Sequence, residues 1–400
     1  MTRTRNTGVA LAALAATIWM AAAPARADDP IVVGLAIAES GFMVAYDGDS
    51  SNAVKLWIDN QNEKGGLLGR EVSFVTSDTK SDRVQGAKAG QDVVREGADL
   101  VVVSCDYDFG APAAIAAQQA DIVSMFLCAE DPKAGIEGAG KYAFTSSIAA
   151  QVQGATMAEW AAANLDMKTA YVLLDTTIEY DKSVCAGFDW AAGKMDGLEI
   201  LGSDTFKNDD PSIQSQITRI KSLPEAPDAI MLCTYVPGGA SAVRQLRASG
   251  LDMPILNGSS MDGTYWTDAV PDLTDFYIPV QASIYGDDPR EAVQAFNADF
   301  EEKFGRLPVT QYTYPAYAWL ELWAKAVEEA GSTDADKVVP IMETYTDAET
   351  ILGPRTFSDK LHIQNDAPYM IVEVKDNEHK VVDEYRVSEP VPYEVLFRLK

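Results

Sequence analysis

The chain has 400 residues, a formal charge of -28 at pH 7, and 47% hydrophobic residues. A balance this acidic excludes the basic footprint of a nucleic-acid binder and repels anionic lipid headgroups. The length exceeds what one hydrophobic core holds, so two domains are the starting expectation.

The first residues point to export. Arg3 and Arg5 precede an apolar run over residues 8–23, followed by Ala25-Arg26-Ala27 with small residues where a signal peptidase reads. The run falls short of the roughly 20 residues a membrane helix needs, so residues 1–27 are expected to be a cleaved signal peptide. An uncleaved anchor is the alternative, and the lack of a Cys after the run argues against lipidation. Cleavage before Asp28 would remove three arginines and no acid, taking the charge to -31.

Residues 31–37 then read as a strand, 52–62 as a helix stopped by Gly65-Gly66, 71–75 as a strand and 81–96 as a helix. A strand over 100–103, a small-residue helix over 111–120 and strands over 122–127 and 142–145 complete a βαβα series. The pattern restarts with helices over 149–165, 181–195, 212–222 and 239–249. Strands over 170–174, 199–203, 229–232 and 254–256 lie between them. Such alternation predicts parallel sheets covered by helices, here two doubly wound units in series.

In open α/β sheets, ligands bind beyond the carboxyl ends of the strands. The segments after the strands are 39–49, 104–110, 128–131, 175–182, 233–239 and 258–266. They supply Tyr46, Asp106, Tyr107, Asp108, Phe109, Glu130, Asp131, Tyr180, Tyr235, Asp262, Tyr265 and Trp266, an aromatic and acidic set with hardly any positive charge. Loops of this kind are also acidic simply because they are solvated. Four cysteines remain. Cys105 and Cys128 end two strand-like runs and could meet at one sheet edge, and Cys185 and Cys233 could do the same in the second half. Two disulfides or four buried thiols are both open.

Motifs for chemistry fail. There is no Walker loop, no GxGxxG after the first strand, no HExxH and no GxSxG, and Asp47-Gly48-Asp49 lacks the Gly and Glu of a calcium loop. The only histidines, His362 and His379, lie in a polar C-terminal stretch. Paired acids such as Asp106 and Asp108 would suit a glycosidase, but on a different architecture. No enzyme, cofactor or metal is expected.

Asn62-Glu63-Lys64-Gly65-Gly66-Leu67-Leu68-Gly69-Arg70 resembles the helix, double-Gly turn and Gly-Arg of the branched-chain amino-acid-type (leucine/isoleucine/valine-binding protein-like) periplasmic binding proteins of ABC importers. Tyr180-Asp181-Lys182-Ser183, Asn208-Asp209-Asp210-Pro211-Ser212-Ile213 and Pro227-Asp228-Ala229-Ile230 are similar to further segments of that family, with Asp181 where it has Gly. The resemblance implies a type I periplasmic binding protein, two Rossmann-like lobes joined by a three-crossing hinge and closing over a solute. The N-terminal lobe would hold residues 28–146 plus 285–352, and the C-terminal lobe 147–284 plus 353–400. Crossings are expected near Ser146–Ser147, Ser283–Tyr285 and Leu352–Pro354. It further implies a periplasmic monomer that delivers its solute to ABC permease subunits and binds no nucleic acid. A ligand-sensing protein of the same fold is the alternative.

The resemblance carries over only half of an amino-acid site. Asp262 would meet the α-ammonium, so that replacing it by Ala would abolish binding. Where the family holds the carboxylate, this chain has Cys105-Asp106-Tyr107-Asp108-Phe109-Gly110 and Ala129-Glu130-Asp131. An amine or other cation, a neutral polar solute such as an amide, polyol or nucleoside, and an ordinary amino acid all stay open as ligands.

Overall fold

The computed structural model describes Met1, Thr2 and residues 29–399. The expected signal segment and its cleavage site lie outside the described residues. The chain opens with β1 (Ile31–Ile37), α1 (Val44–Glu63), β2 (Val72–Asp78), α2 (Arg83–Arg95), β3 (Leu100–Val103), α3 (Tyr107–Gln119), β4 (Val123–Phe126) and β5 (Ala143–Phe144). Its second series is α4 (Ala150–Asn164), β6 (Thr169–Asp175), α5 (Glu179–Ala192), β7 (Glu199–Phe206), α6 (Gln214–Lys221), β8 (Ala229–Cys233), α7 (Gly238–Ala248), β9 (Ile255–Leu256) and β10 (Phe276–Val280). Then come α8 (Glu291–Phe304), α9 (Thr313–Ala330), α10 (Ala335–Met342), β11 (Tyr369–Lys375), β12 (Glu378–Tyr385) and α11 (Tyr393–Leu396).

The first sheet is ordered β2-β1-β3-β4-β5 and is parallel throughout. In the second sheet β7-β6-β8-β9-β10 repeats that order, and the antiparallel β11–β12 hairpin extends it. Both halves are therefore doubly wound, with a switch point beside the first strand of each. The fully apolar strands Leu-Val-Val-Val of β3 and Ala-Ile-Met-Leu-Cys of β8 are buried at every position, as strands covered on both faces must be.

Helices α9 and α10 return to the first sheet, where Trp319, Trp323 and Met342 share a core with Val33, Val102 and Met125. Tyr369 and Ile371 of β11 pack instead with Val172 and Met231 of the second half. Three connecting segments meet between the sheets. The peptide at Ile148 pairs in parallel with Gln364, and the Ile148 amide also donates to the Gln281 side chain at 3.2 Å.

Two helices begin earlier than periodicity predicts. Helix α1 starts at Val44 rather than 52, because its first turns bury polar groups that propensity counts against a helix. Asp47, fully buried, accepts from the Ala38 and Cys105 amides and the Ser104 hydroxyl at 2.6–2.8 Å. Asp49 receives a bidentate Arg306 at 2.6 and 2.7 Å. Helix α3 starts at Tyr107 rather than 111, capped by the Asp106 carboxylate, which accepts the Asp108 amide at 2.9 Å. The Gly66 that ends α1's turn has φ 84°, and a Cβ there would sit 1.9 Å from the Arg70 carbonyl oxygen.

Candidate ligand-binding site

The carboxyl ends of the two sheets face each other across a narrow cavity. Each wall follows from the topology. The turns and helix starts after β1, β3 and β4 bring Met43, Tyr46, Cys105, Asp106, Phe109, Cys128, Ala129 and Glu130, and those after β6, β8 and β9 bring Ile178, Tyr180, Tyr235 and Ser260. Tyr312 enters from the start of α9. No Lys, Arg or His is among these lining residues.

The two sides touch. The Tyr46 hydroxyl donates to the Ser260 carbonyl at 3.2 Å and accepts the Val236 amide at 3.1 Å. The Glu130 carboxylate accepts Ser259 Oγ at 2.8 Å and the Tyr312 hydroxyl at 3.0 Å. Below the cavity, the Glu179 amide donates to Asp108 at 2.8 Å and the Ser183 hydroxyl to Asp131 at 2.7 Å. The Tyr180 hydroxyl donates to Gln153 at 2.8 Å and accepts from the Ser260 amide at 3.2 Å. Gly258 is required there, since a Cβ would lie 2.3 Å from that hydroxyl oxygen.

Acidity in the cleft is uncompensated. Burial pushes the Glu130 carboxyl up to about 7 despite its hydrogen bonds. Desolvation, and after it the charge of Asp108, hold Asp106 well above the carboxylate range. Asp181, absent from the residues singled out above, is fully buried, and neither of its carboxylate oxygens has a hydrogen-bond partner among the described residues. Burial and then the charges of Asp175, Asp106 and Asp108 raise it well above its ordinary value, and its charge is felt by the hydroxyls of Tyr46 and Tyr235. A buried ionised carboxylate without a partner is strongly disfavoured.

Six of the sequence-predicted residues line the cavity: Tyr46, Asp106, Phe109, Glu130, Tyr180 and Tyr235. Five do not. Tyr107 stacks on Phe126. Asp108 pairs with Arg83 at 2.9 Å and accepts the Glu179 amide. Asp131 caps the short turn Pro132–Ala134 and holds Ser183. Trp266 lies in the second core, edge-on to Phe276, with its indole N–H on the Met261 carbonyl at 2.8 Å. Asp262 corrects the expected ammonium partner: its oxygens accept the Tyr285 hydroxyl at 2.5 Å and the Gln311 amide at 2.6 Å, behind the cleft. Tyr265 stands 40% exposed.

Cys105 and Cys128 form a disulfide, Cα–Cα 4.5 Å, that is part of the cavity wall. Cys185 and Cys233 form the second, joining helix α5 to the end of β8 rather than two strand ends. The residues that sequence reasoning missed are Met43, Ile178, Ser260, Tyr312 and Asp181. Ser260 lay inside a segment already marked as following a strand, and Asp181 stood beside Tyr180 as a departure from the resembled family. Tyr312 carries no such signal.

The sequence profile described as "Periplasmic binding protein" matches residues 30–379. The Leu/Ile/Val-binding protein BraC3 of Rhizobium johnstonii is 26% identical over 334 residues, 82% of this chain and 88% of that protein. Two solved structures share the fold. The branched-chain amino acid transporter substrate-binding protein LivJ of Streptococcus pneumoniae, in complex with isoleucine, has TM-score 0.78 and 21% identity, covering 90% of this chain and 100% of its own. A solute-binding protein of an ABC transporter from Rhodopseudomonas palustris, in complex with 3,4-dihydroxybenzoic acid, has TM-score 0.71 and 19% identity, covering 91% and 99%.

Proposed function

The chain belongs to the periplasmic binding protein family, whose members bind solutes and catalyse nothing, and from that premise we propose that it is the solute-binding subunit of an ABC importer whose ligand carries a protonated or quaternary amine. One observation carries the reading: Asp106, Glu130 and Asp181 are desolvated at a cleft whose lining holds no cation. A cation 5 Å from one carboxylate gains about 3 kcal/mol at an effective dielectric of 20, and a ligand carboxylate there loses as much. The rings of Tyr46, Phe109, Tyr180, Tyr235 and Tyr312 add cation–π attraction, about 0.5–2 kcal/mol for a well-placed ring.

The mature protein would begin at Asp28 in the periplasm, act as a monomer and hand its solute to the permease subunits from the closed state. Its hinge would run through residues 145–149, 281–285 and 355–364. The third crossing is drawn later than residues 352–354 because Phe357 packs in the first core and Ile363 in the second.

Calorimetry with a panel of alkyl and aromatic amines, quaternary ammonium ions, leucine and benzoate tests the reading. Micromolar or tighter binding confined to cations is the expected result. Equal or tighter binding of leucine or benzoate would return the site to amino acids or aromatic acids.

A further inference from the structure

The face opposite the cleft carries the reverse charge problem. Arg355 is 3% exposed. Its Nε donates to the Ser146 carbonyl at 2.8 Å, Nη1 to the Pro354 and Leu352 carbonyls at 3.0 and 3.2 Å, and Nη2 to the Gln281 amide oxygen at 3.3 Å. All four acceptors are neutral; Ser146 and Gln281 lie on two of the segments that connect the sheets, and Arg355 itself opens the third. No carboxylate among the described residues lies within ion-pair distance of Arg355. Of a guanidinium's five N–H groups, these bonds use four.

Arg355 faces a solvent-open cavity whose lining also holds Arg290, Arg386 and Thr356, with the acids Asp347, Asp366 and Glu384 in the same lining. Arg290 is clamped bidentately by Asp288 at 2.7 and 3.0 Å, and it reaches the same Gln281 segment through that residue's carbonyl, at 2.7 Å. Thr356 Oγ1 accepts the Asp347 amide at 3.0 Å, which leaves its own proton free to donate. Asp366, at the rim, is already paired with Arg386 at 2.8 Å. Burial, then the neighbouring Arg290 charge, push Arg355 down to about 9. A buried cation held only by dipoles is the mirror of the orphaned Asp181.

We propose that this hinge cavity is a binding site for a small oxyanion of phosphate or sulfate size, with Arg355 as its central charge and Thr356 and Arg386 as further donors. Such an ion would accept from the free guanidinium N–H of Arg355, which is itself bonded to the first and second connections through Ser146 and Gln281. In a chain of net charge -28, bulk attraction does not supply it, so its binding must come from local geometry.

The test uses the full mature protein at fixed ionic strength, with inorganic phosphate as the probe, sulfate as a second arm and chloride as the control. Phosphate at 10 mM is expected to raise Tm saturably, by about 1–2 °C for a millimolar site. The response should vanish in Arg355→Met and weaken severalfold in Arg386→Ala, whose half-exposed side chain leaves folding intact. If Arg355→Met does not fold, Arg386→Ala and titration of the unmodified protein by calorimetry decide. No saturable phosphate or sulfate binding to the unmodified protein, or a response identical in Arg386→Ala and in any folded Arg355 variant, overturns the proposal.

Discussion

The cleft and the hinge are built from the same backbone logic and hold opposite charges. At the cleft, Asp181 is buried with both oxygens unpaired and Glu130 is pushed up to about 7. At the hinge, Arg355 is buried against carbonyls alone and pushed down to about 9. Burial of either sign costs several kcal/mol unless a partner is supplied. The contrast teaches that a lone buried charge is more informative than a cluster of exposed ones, because solvent cannot explain it. The proposed cationic ligand rests on Asp106 and Asp181, whereas the many acids of the outer surface have no such meaning.

The largest expected effect is at Asp181. Asp181→Asn should weaken binding of a protonated amine about 30- to 1,000-fold, the 2–4 kcal/mol that removal of one side of a desolvated charge pair costs. The same change should raise the Tm of the ligand-free protein, because it deletes a buried carboxyl whose ionisation folding suppresses. Calorimetry and thermal unfolding read the two directions separately. Loss of affinity with loss of stability would mean that Asp181 merely supports the fold.

Acid should act next in size. Glu130 has a folded value of about 7 against an ordinary 4.5, so the folded, empty protein binds more protons than the unfolded chain between those values. Its stability therefore falls as pH rises through that window, full below about 4.5 and reduced above 7. A cationic ligand reverses the preference by favouring the ionised form. Affinity for an amine should climb as pH rises from 5 to 7, by up to about tenfold per unit for each proton released. Titrations in buffers of different ionisation enthalpy count that proton, and a flat profile would detach Glu130 from the ligand.

Gly258→Ala ranks third. The added methyl would lie 2.3 Å from the Tyr180 hydroxyl oxygen, so the ring must swing and the wall after β9 must shift. A loss of about 1–3 kcal/mol in binding, tenfold or more, is expected, with a smaller change in Tm. Tyr180→Phe removes the clash partner's oxygen, and the double variant should recover part of the loss if the steric account is right.

These expectations also mark what the sequence could tell. Both doubly wound units and six of the cleft residues follow from alternating apolar runs and the rule that ligands meet strand carboxyl ends. Helix starts at Val44 and Tyr107 did not: Asp47 and Asp49 act through partners far along the chain that no local pattern reveals, and Asp106 caps its helix at Asp108 inside a segment read as a loop. Asp262 and Trp266 sit in the right segment and face the wrong way. A strand-end rule gives a neighbourhood, while the direction of each side chain is decided by Tyr285, Gln311 and Phe276. Tyr312 reaches the cleft from a helix packed on the opposite half of the chain's length, so only tertiary structure finds it.

The smallest effect concerns the rim that joins the two sides below the cleft. Glu179, at the start of α5, meets Lys133 at 2.5 Å, Lys182 at 2.7 Å and Arg398. Burial works against its charge, but Lys133, Lys182 and Arg398 hold it down at about 2. Arg398, from the C-terminal tail, also stands 3.6 Å from Asp131 on the other wall. The tail thus bridges both sides of the closed cleft from outside the cavity. Arg398 keeps 23% of its side chain exposed, so water screens the pair and its contribution is discounted to about 0.5–1 kcal/mol. Arg398→Ala should therefore weaken solute binding about two- to fivefold, mainly through faster release, and the loss should shrink at high salt. Stopped-flow dissociation at two ionic strengths reads this directly. An effect as large as that of Asp181→Asn would place the tail inside the binding site and erase the distinction between the walls that hold the ligand and the rim that holds the walls.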